Sequence, residues 1–545
     1  MMKIKNPILK GFHPDPSIIR VGDDYYIATS TFEWWPGVRL HHSKDLVNWE
    51  LIAYPLDRVS QLDLKGVGPS QGIWAPCLTY YQGTFFLVYT VVSTFYCNMH
   101  DTNNYLVTAT DINGPWSEPI TLSNFGFDPS LFHDDDGRKY MVSMVTDHRV
   151  PQKYSARLLL QEYDHKLKKM VGPIKDIYAA DKIYLEGAHI YKRNDWYYLF
   201  SADSGTAENH GQSILRSRDI WGEYEMYKPD FMERKSEDEA YSIMTSRHKP
   251  DILLQKSGHA DLVETQNGEW YLVHLCGRVL KYNEKAKDSD EAKERRYQLG
   301  RETAIQKVVW TDDGWLKLAQ GGTTALDEVE MPDLPLHPTA PPLVRDDFDS
   351  DVLNLEYQSL RIPMDESYLS LSARPGYLRL FGRSGLSSRL SQTLIARRWT
   401  EFKFTATTVL DYNPEVFKQL AGLIFIYDTE NYLYLHITHD EDLGKCISII
   451  RSINGSWDYP EKFIPLESDK EVILQGKVDH GLIQFYYGYE EDKLQSIGPE
   501  MDCSFISDEA CKEGWFTGAM VGLCSQDMTG DRKPADFDWF EYKVD

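Results

Sequence analysis

Three acidic residues of this chain stand in settings that suit acid–base chemistry. Asp15 lies between two prolines, and because prolines restrict the local backbone they would hold its carboxylate in one orientation. Glu186 lies among apolar neighbours, where burial would raise the pKa of its carboxyl group, as a general acid requires. Asp128 is a third acid, and a nearby anion would raise the pKa of Glu186 further. One ionised and one protonated carboxyl group are the usual pair for cleaving a glycosidic bond.

The elements that position these acids follow a repeat in the first half of the chain. Five segments share one layout: a small or polar opening, a short apolar strand, a turn rich in Gly, Asp or Asn, and an aromatic strand. Five such hairpins predict a five-bladed β-propeller, whose innermost strands line a central axis. We therefore expect the five opening positions to converge at one end of that axis. These positions are Asp15, Ala75 after Trp74, Asp128, Gly187 after Glu186, and His259.

A simpler interpretation treats the Asp-Pro and Gly-Ala pairs as turn residues that merely begin strands. It explains one segment well. It explains the five together poorly, because turn chemistry does not require acids at matching places.

The second half of the chain has a different pattern. Residues 323–344 contain five prolines and show no helical or strand period, so we interpret them as a linker. From residue 345 to residue 545 short alternating strands predict a β-sandwich. The predicted fold class is therefore all-β, with a propeller over residues 1–322 followed by a sandwich.

Charge and cysteine content limit the partners and the compartment. The formal net charge of −25 would repel nucleic acids and anionic membranes, so we expect neither as a partner. The seven cysteines are scattered and form no CxxC pair, which argues against a disulfide framework and a structural zinc site. No signal peptide and no apolar stretch of about 18 residues is evident, so we expect a cytoplasmic protein.

The residues around the acids resemble those of glycoside hydrolase family 43, and in particular its two-domain bacterial β-xylosidases. The resemblance covers nearly the whole chain. One departure is Ala188, since the acid segment of those enzymes usually reads Glu-Gly-Pro-His or Glu-Ala-Pro-His. The motifs that carry the resemblance are GFHPDPS (11–17), TSTFEW (29–34), GIWAP (72–76), GFD (126–128), GHA (258–260), LGRET (299–303), ARPG (373–376) and FTGA (516–519).

The resemblance implies an inverting mechanism in which Asp15 is the general base, Glu186 the general acid and Asp128 the residue that tunes the pKa of the acid. The implied activity is exo-acting release of xylose from the non-reducing end of β-1,4-xylooligosaccharides, with side activity on α-L-arabinofuranosides. An α-L-arabinofuranosidase is the alternative on the same scaffold. A glycan-binding propeller without catalysis is the alternative of another class, which would not need three axial acids.

The resemblance also implies a set of substrate-binding residues, each of which has a simpler interpretation. Arg301 would bind hydroxyls of the terminal sugar, or form a surface ion pair. Trp74 and Phe32 would be apolar walls of the sugar pocket, or core residues. His259 would lie on the propeller axis near a water or a divalent ion, or be a satisfied buried histidine. Phe516 would reach over the site from the sandwich domain, or belong to an ordinary strand.

No cofactor is required by this scheme. The predicted ion on the axis is calcium, bound mainly by water with His259 as the protein ligand. The relatives implied by the resemblance also suggest a homo-oligomer.

Overall fold

The computed structural model describes residues 2–96, 99–150, 156–179, 183–232, 234–467 and 470–545. Nearly all regular structure in these ranges is β-strand, which confirms the predicted fold class. Cys97, one of the seven cysteines considered above, lies outside the described residues. Within the described ranges, no helix has the length and apolar character that a membrane span requires.

Five antiparallel sheets form the propeller, and each is built from strands of one continuous stretch of the chain. The first strands of neighbouring sheets contact one another, so they surround the axis. By sheet, the strands are β2 (Ser17–Val21), β3 (Asp24–Thr29), β5 (Arg39–Ser43) and β6 (Glu50–Ala53); β7 (Gly72–Tyr81), β8 (Thr84–Tyr96), β9 (Met99–Ala109) and β10 (Ile120–Ser123); β11 (Phe127–His133), β12 (Lys139–Thr146), β13 (Ala156–Asp164) and β14 (Lys169–Ala179); β15 (Leu185–Arg193), β16 (Trp196–Asp203), β17 (Gly211–Ser217), β18 (Glu225–Met226) and β19 (Met244–Thr245); and β20 (Leu254–Glu264), β21 (Trp270–Arg278), β22 (Glu302–Trp310) and β23 (Leu316–Leu318).

The backbone turns sharply at each of the five opening positions predicted from the sequence. The φ angle is 52° at Asp15, 34° at Ala75, 51° at Asp128, 55° at Gly187 and 50° at His259. Strand pairing shifts register beside the last four of these positions, as it does at a β-bulge. A bulge re-aims its side chain, and strained left-handed residues cluster at functional sites. The sequence repeat is therefore a repeated backbone bend that faces the axis.

A short strand lies just beyond the predicted propeller boundary at residue 322. Strand β1 (Lys3–Lys5) pairs antiparallel with β24 (Glu328–Glu330), which joins the start of the chain to the end of the propeller. Strand β24 lies inside the segment 323–344 that we interpreted as a linker. Three residues are too few to show a strand period, which is why the sequence pattern missed this pairing.

Two sheets packed face to face form the second domain, as the alternating pattern predicted. Leu423, Phe425, Leu474, Phe485 and Phe537 are fully buried in the core between them. The strands are β25 (Arg345–Asp346), β27 (Leu369–Ser370), β28 (Leu378–Phe381), β30 (Lys403–Asp411), β36 (Val472–Asp479), β37 (Leu482–Gly488), β38 (Gln495–Asp502) and β40 (Pro534–Val544) in one sheet, and β26 (Gln358–Leu360), β29 (Thr393–Arg398), β31 (Gln419–Asp428), β32 (Asn431–Asp440), β33 (Gly444–Ile453), β34 (Ser456–Asp458), β35 (Ile464–Pro465) and β39 (Met520–Asp527) in the other.

The two domains share a sheet and press together backbone to backbone. The short propeller strand β4 (Trp34–Trp35) pairs with β26, so the second sandwich sheet continues into the propeller. At Gly300, a Cβ atom would lie 2.0 Å from the main-chain oxygen of Thr517, a distance that only glycine tolerates. This close approach brings the sandwich loop before β39 to the mouth of the propeller.

Candidate active site

A cavity of about 630 Å³ opens at the end of the propeller axis where the five bends lie. Residues of both domains line it. All eight residues singled out from the sequence are among them: Asp15, Phe32, Trp74, Asp128, Glu186, His259, Arg301 and Phe516.

Asp15 is buried and held through both carboxylate oxygens. Ser30 Oγ donates a hydrogen bond to Oδ2 at 2.7 Å, and Arg301 Nη1 donates one to Oδ1 at 2.8 Å. Ser30 Oγ in turn accepts from the main-chain nitrogen of Ala75 at 2.8 Å, which fixes the serine between two blades. Arg301 is only 3% exposed, so the interpretation of a surface ion pair is wrong. The ion pair between Arg301 and Asp15 lies inside the cavity wall.

Glu186 has the environment of a carboxylic acid. It is 6% exposed, and its Oε1 atom has no hydrogen-bond partner within the protein. The Tyr184 side chain lies beside this carboxyl group and acts in the opposite direction to burial, lowering its pKa. Burial, assisted by the negative charge of Asp15, raises the pKa of Glu186 to about 7. A substantial fraction of Glu186 therefore carries a proton at neutral pH.

Asp128 lies beside Glu186 in the wall of the same cavity. Its Oδ2 accepts a hydrogen bond from the main-chain nitrogen of Gly187 at 3.1 Å, which ties one acid segment to the other. Burial raises the pKa of Asp128 well above its usual range, and the charges of Glu186 and Asp15 raise it further. Asp128 and Glu186 therefore titrate as an interacting pair rather than independently.

An aromatic wall, formed by Phe32, Trp74 and Phe516, covers one side of the cavity. The ring centroids of Phe32 lie 6.1 Å from Trp74 and 6.0 Å from Phe516, while Trp74 and Phe516 lie 5.3 Å apart at 80°. Phe516 is 8% exposed and lies in the loop before β39, so the interpretation of an ordinary strand residue is wrong. The Arg301 guanidinium lies 5.6 Å and 5.4 Å from the ring centroids of Phe32 and Phe516. Two domains therefore build one wall.

His259 lies between two of the blades with its ring packed on Gly187. A Cβ atom at residue 187 would come within 2.6 Å of His259 Nε2, so the glycine makes room for the ring. The other ring nitrogen, Nδ1, lies 3.6 Å from Asp15 Oδ1. Burial lowers the pKa of His259 to about 4, so its imidazole is neutral at pH 7.

The residues around His259 fit a cation only loosely. In the described part of the chain, no three His, Cys, Asp or Glu side chains converge in a way that could hold a metal ion. Calcium takes six to eight oxygen ligands, so water would have to supply most of them here. A calcium ion on the axis stays a prediction.

Several cavity residues were not found from the sequence. Ser30 holds Asp15, and Tyr184 lies beside Glu186, yet neither residue type is unusual at the end or start of a strand. Phe127 packs edge-on against Trp74 with the ring centroids 5.4 Å apart, and its place directly before Asp128 was the one available signal.

Ala188, the departure from the resembled motif, is buried and its carbonyl accepts a hydrogen bond from the Ser130 hydroxyl. Glu186 still lines the cavity beside it.

Two family models match this chain, one for each domain. Residues 4–316 match the model of glycosyl hydrolases family 43, and residues 345–543 match the beta xylosidase C-terminal concanavalin A-like domain. The chain belongs to glycosyl hydrolases family 43 and is a glycosidase.

Three relatives illustrate the similarity. The crystal structure of a xylan beta-1,4-xylosidase from Bacillus halodurans C-125 superposes with a TM-score of 0.93 at 50% identity, covering 99% of this chain and 100% of that chain. A beta-xylosidase of Bacillus subtilis is 43% identical over 99% of this chain and 100% of its own length. A xylosidase/arabinosidase 43B of Humicola insolens is 44% identical over 100% of this chain and 98% of its own.

Proposed function

We propose that this glycosidase releases xylose from the non-reducing end of β-1,4-xylooligosaccharides with inversion, and that it also accepts α-L-arabinofuranosides. The single observation that carries the proposal is the buried, unpartnered Oε1 of Glu186 in a cavity that also contains Asp15 and Asp128. A polar atom buried without a partner is costly, and a substrate oxygen would supply the missing hydrogen bond.

The reaction then proceeds in one displacement. Protonated Glu186 donates its proton to the glycosidic oxygen, and the bond from that oxygen to the anomeric carbon breaks. A water molecule attacks the opposite face of the same carbon and loses a proton to Asp15. The sugar leaves with its anomeric configuration inverted. Arg301 keeps Asp15 aimed into the cavity through its hydrogen bond to Oδ1.

Exo-action follows from the shape of the cavity. Phe516 and the Trp515 ring beside it bring the sandwich domain over the propeller mouth. A chain end enters such a pocket, whereas the middle of a long polymer needs a groove that is open at both ends. The position of Phe516 therefore favours removal of terminal sugars.

The choice of xylose is supported by the relatives. Two of the three relatives described above are named as xylosidases alone, and the Humicola protein is named as a xylosidase/arabinosidase. The latter name supports arabinofuranosidase activity as the second candidate function. A binding propeller without catalysis would leave the raised pKa of Glu186 without a purpose.

Anomeric NMR of β-1,4-xylobiose hydrolysis tests substrate, catalysis and stereochemistry together. We expect α-xylose as the first product released. Early β-xylose would contradict the inverting mechanism, and binding without hydrolysis would favour the non-catalytic propeller. Nitrophenyl β-xyloside and α-L-arabinofuranoside rank the two pentosidase activities, and β-1,3-xylobiose tests the linkage preference.

We also propose a cytoplasmic location and a homo-oligomeric state. The six cysteines within the described part of the chain are free thiols, as is usual in reducing compartments, which supports the location. The oligomer rests on the family resemblance alone. Cell fractionation and light scattering test the two proposals.

A further inference from the structure

Ser70 lies directly behind the aromatic wall, at the place where a propeller loop meets the sandwich domain. It is buried, and its φ angle of 58° puts the backbone in the left-handed region that non-glycine residues rarely adopt. Such strain is unfavourable and persists only where the surroundings enforce it. The groups around Ser70 must therefore hold its backbone in this conformation.

Three hydrogen bonds converge on Ser70. Its main-chain oxygen accepts from Trp74 Nε1 at 2.8 Å, and its Oγ accepts from the main-chain nitrogen of Phe516 at 3.1 Å. Its main-chain nitrogen donates to Glu33 Oε2 at 3.0 Å. Trp74 belongs to the propeller and Phe516 to the sandwich, so a single serine connects the two halves of the aromatic wall.

Glu33 connects the same point to the third aromatic side chain. It directly follows Phe32, whose main chain exchanges two hydrogen bonds with Ile73, at 3.0 Å and 3.1 Å. The main-chain oxygen of Glu33 accepts from the Arg361 nitrogen of the sandwich at 2.9 Å. Glu33 is buried and anchored by both domains, so its carboxyl group reaches Ser70 from a fixed position.

The fit around Ser70 leaves little freedom. At Gly514, two residues before Phe516, a Cβ atom would lie 2.6 Å from the Ser70 Cβ. The sandwich loop therefore packs against Ser70 with its backbone, as well as through the hydrogen bond to Oγ.

We propose that Ser70 is a positioning residue for the sugar site: its Oγ sets Phe516 against Trp74, and Glu33 holds Ser70 in the conformation that allows this. The kinetic consequence rests on the function proposed above, because the aromatic wall would pack against the terminal sugar. Ser70 acts through Phe516 and does not touch the substrate.

Two substitutions separate the hydrogen bond from the backbone strain. Ser70→Gly and Ser70→Ala both remove Oγ, but only glycine relieves the left-handed φ. We expect both variants to raise KM for xylobiose and the inhibition constant of xylose by about three- to tenfold, the range expected for one net hydrogen bond, with a smaller change in kcat. Variants that differ from each other, or that leave KM unchanged, would overturn the proposal.

A double-mutant cycle with Phe516→Ala identifies the route of the effect. If Ser70 acts through Phe516, Ser70→Gly raises KM much less in the Phe516→Ala background than in the wild type. An equal increase in both backgrounds would show that Ser70 acts on the site by another route.

Two substitutions test the role of Glu33. Glu33→Gln retains an accepting oxygen and should keep KM near the wild-type value, whereas Glu33→Leu, of similar size, should raise KM. Equal losses in Glu33→Gln and Glu33→Leu would contradict its assigned role.

The role of Ser70 and the proposed function depend on different observations. If the wild type hydrolyses no pentoside, the proposed function fails. The inference is then decided by crystal structures of the wild type and Ser70→Gly. A larger separation between the Phe516 and Trp74 rings in the variant supports it, and an unchanged separation overturns it.

Discussion

Arg301 joins Asp15 to Phe516: its Nη1 donates to Asp15 Oδ1 at 2.8 Å, and its Nη2 donates to the main-chain oxygen of Phe516 at 3.1 Å. One planar guanidinium therefore bridges the proposed base in the propeller and the aromatic wall residue in the sandwich. The geometry of the base depends on the docking of the second domain. The sandwich is a structural part of the site.

Replacement of Arg301 by lysine should disrupt this bridge while keeping the charge. A lysine ammonium lacks the planar fork and cannot reach both partners in the same geometry. We expect kcat/KM on xylobiose to fall by roughly 10- to 100-fold, the range for hydrogen bonds to charged groups. Activity within twofold of the wild type would show that the bridge contributes little.

The two proposed catalytic acids should respond differently to the leaving group. Asp15→Asn and Glu186→Gln should each lose about 10²- to 10⁴-fold in kcat/KM on xylobiose while remaining folded. A nitrophenolate leaves without protonation, so Glu186→Gln should lose much less on nitrophenyl β-xyloside. Asp15→Asn should lose as much on both substrates. Similar losses of Glu186→Gln on the two substrates would exclude its role as general acid.

The activity should decrease in alkaline solution because Glu186 must carry a proton. Its pKa is raised to about 7, so kcat/KM should fall above that value, approaching tenfold per pH unit. The measurement is a pH profile of kcat/KM on xylobiose. A profile that is flat from pH 6 to pH 9 would be incompatible with this assignment.

The buried Glu186 carboxyl group should also lower the free energy of unfolding at high pH, where it is ionised. The folded protein keeps a proton on Glu186 between the ordinary pKa of 4.5 and the raised value of about 7, so the wild type loses stability as the pH rises through this window. At pH 8, Glu186→Gln should therefore have a higher free energy of unfolding, by up to about 3 kcal/mol, and the gain should vanish near pH 4. Urea unfolding at both pH values measures it. The exposed Glu284→Gln serves as the control and should change nothing at either pH.

Phe516→Ala should weaken substrate binding more than it weakens the fold. The ring contacts Phe32 and Trp74 at the edge of the cavity, so KM for xylobiose should rise by roughly 3- to 10-fold, the range expected for the loss of one aromatic contact. The matched control is Phe425→Ala in the sandwich core, which should cost about 3–5 kcal/mol of stability. If Phe516→Ala loses as much stability as the control and keeps its KM, Phe516 is a core residue.

Several features could be predicted because they depend on neighbouring residues. Hairpin turns, strand alternation and the matched openings at Asp15, Asp128 and His259 are local patterns, and they led to the five-bladed propeller and to the acids. Short or irregular elements were harder to predict from the sequence. The sequence pattern did not predict the three-residue strand β24. It was equally compatible with a strand or a loop at Phe516, and the structure places Phe516 in a loop.

The sequence by itself determined the fold class and the identity of the chemical groups, since turn chemistry and periodicity act within a few residues. Only the tertiary structure decided how these groups are held. Ser70 and Phe516 are 446 positions apart, and Asp15 and Arg301 are 286 positions apart, so no local pattern reports their contact. The raised pKa of Glu186 likewise depends on burial by residues from other blades. Hydrogen bonds and desolvation act through space, and their partners are brought together only when both domains have folded against each other.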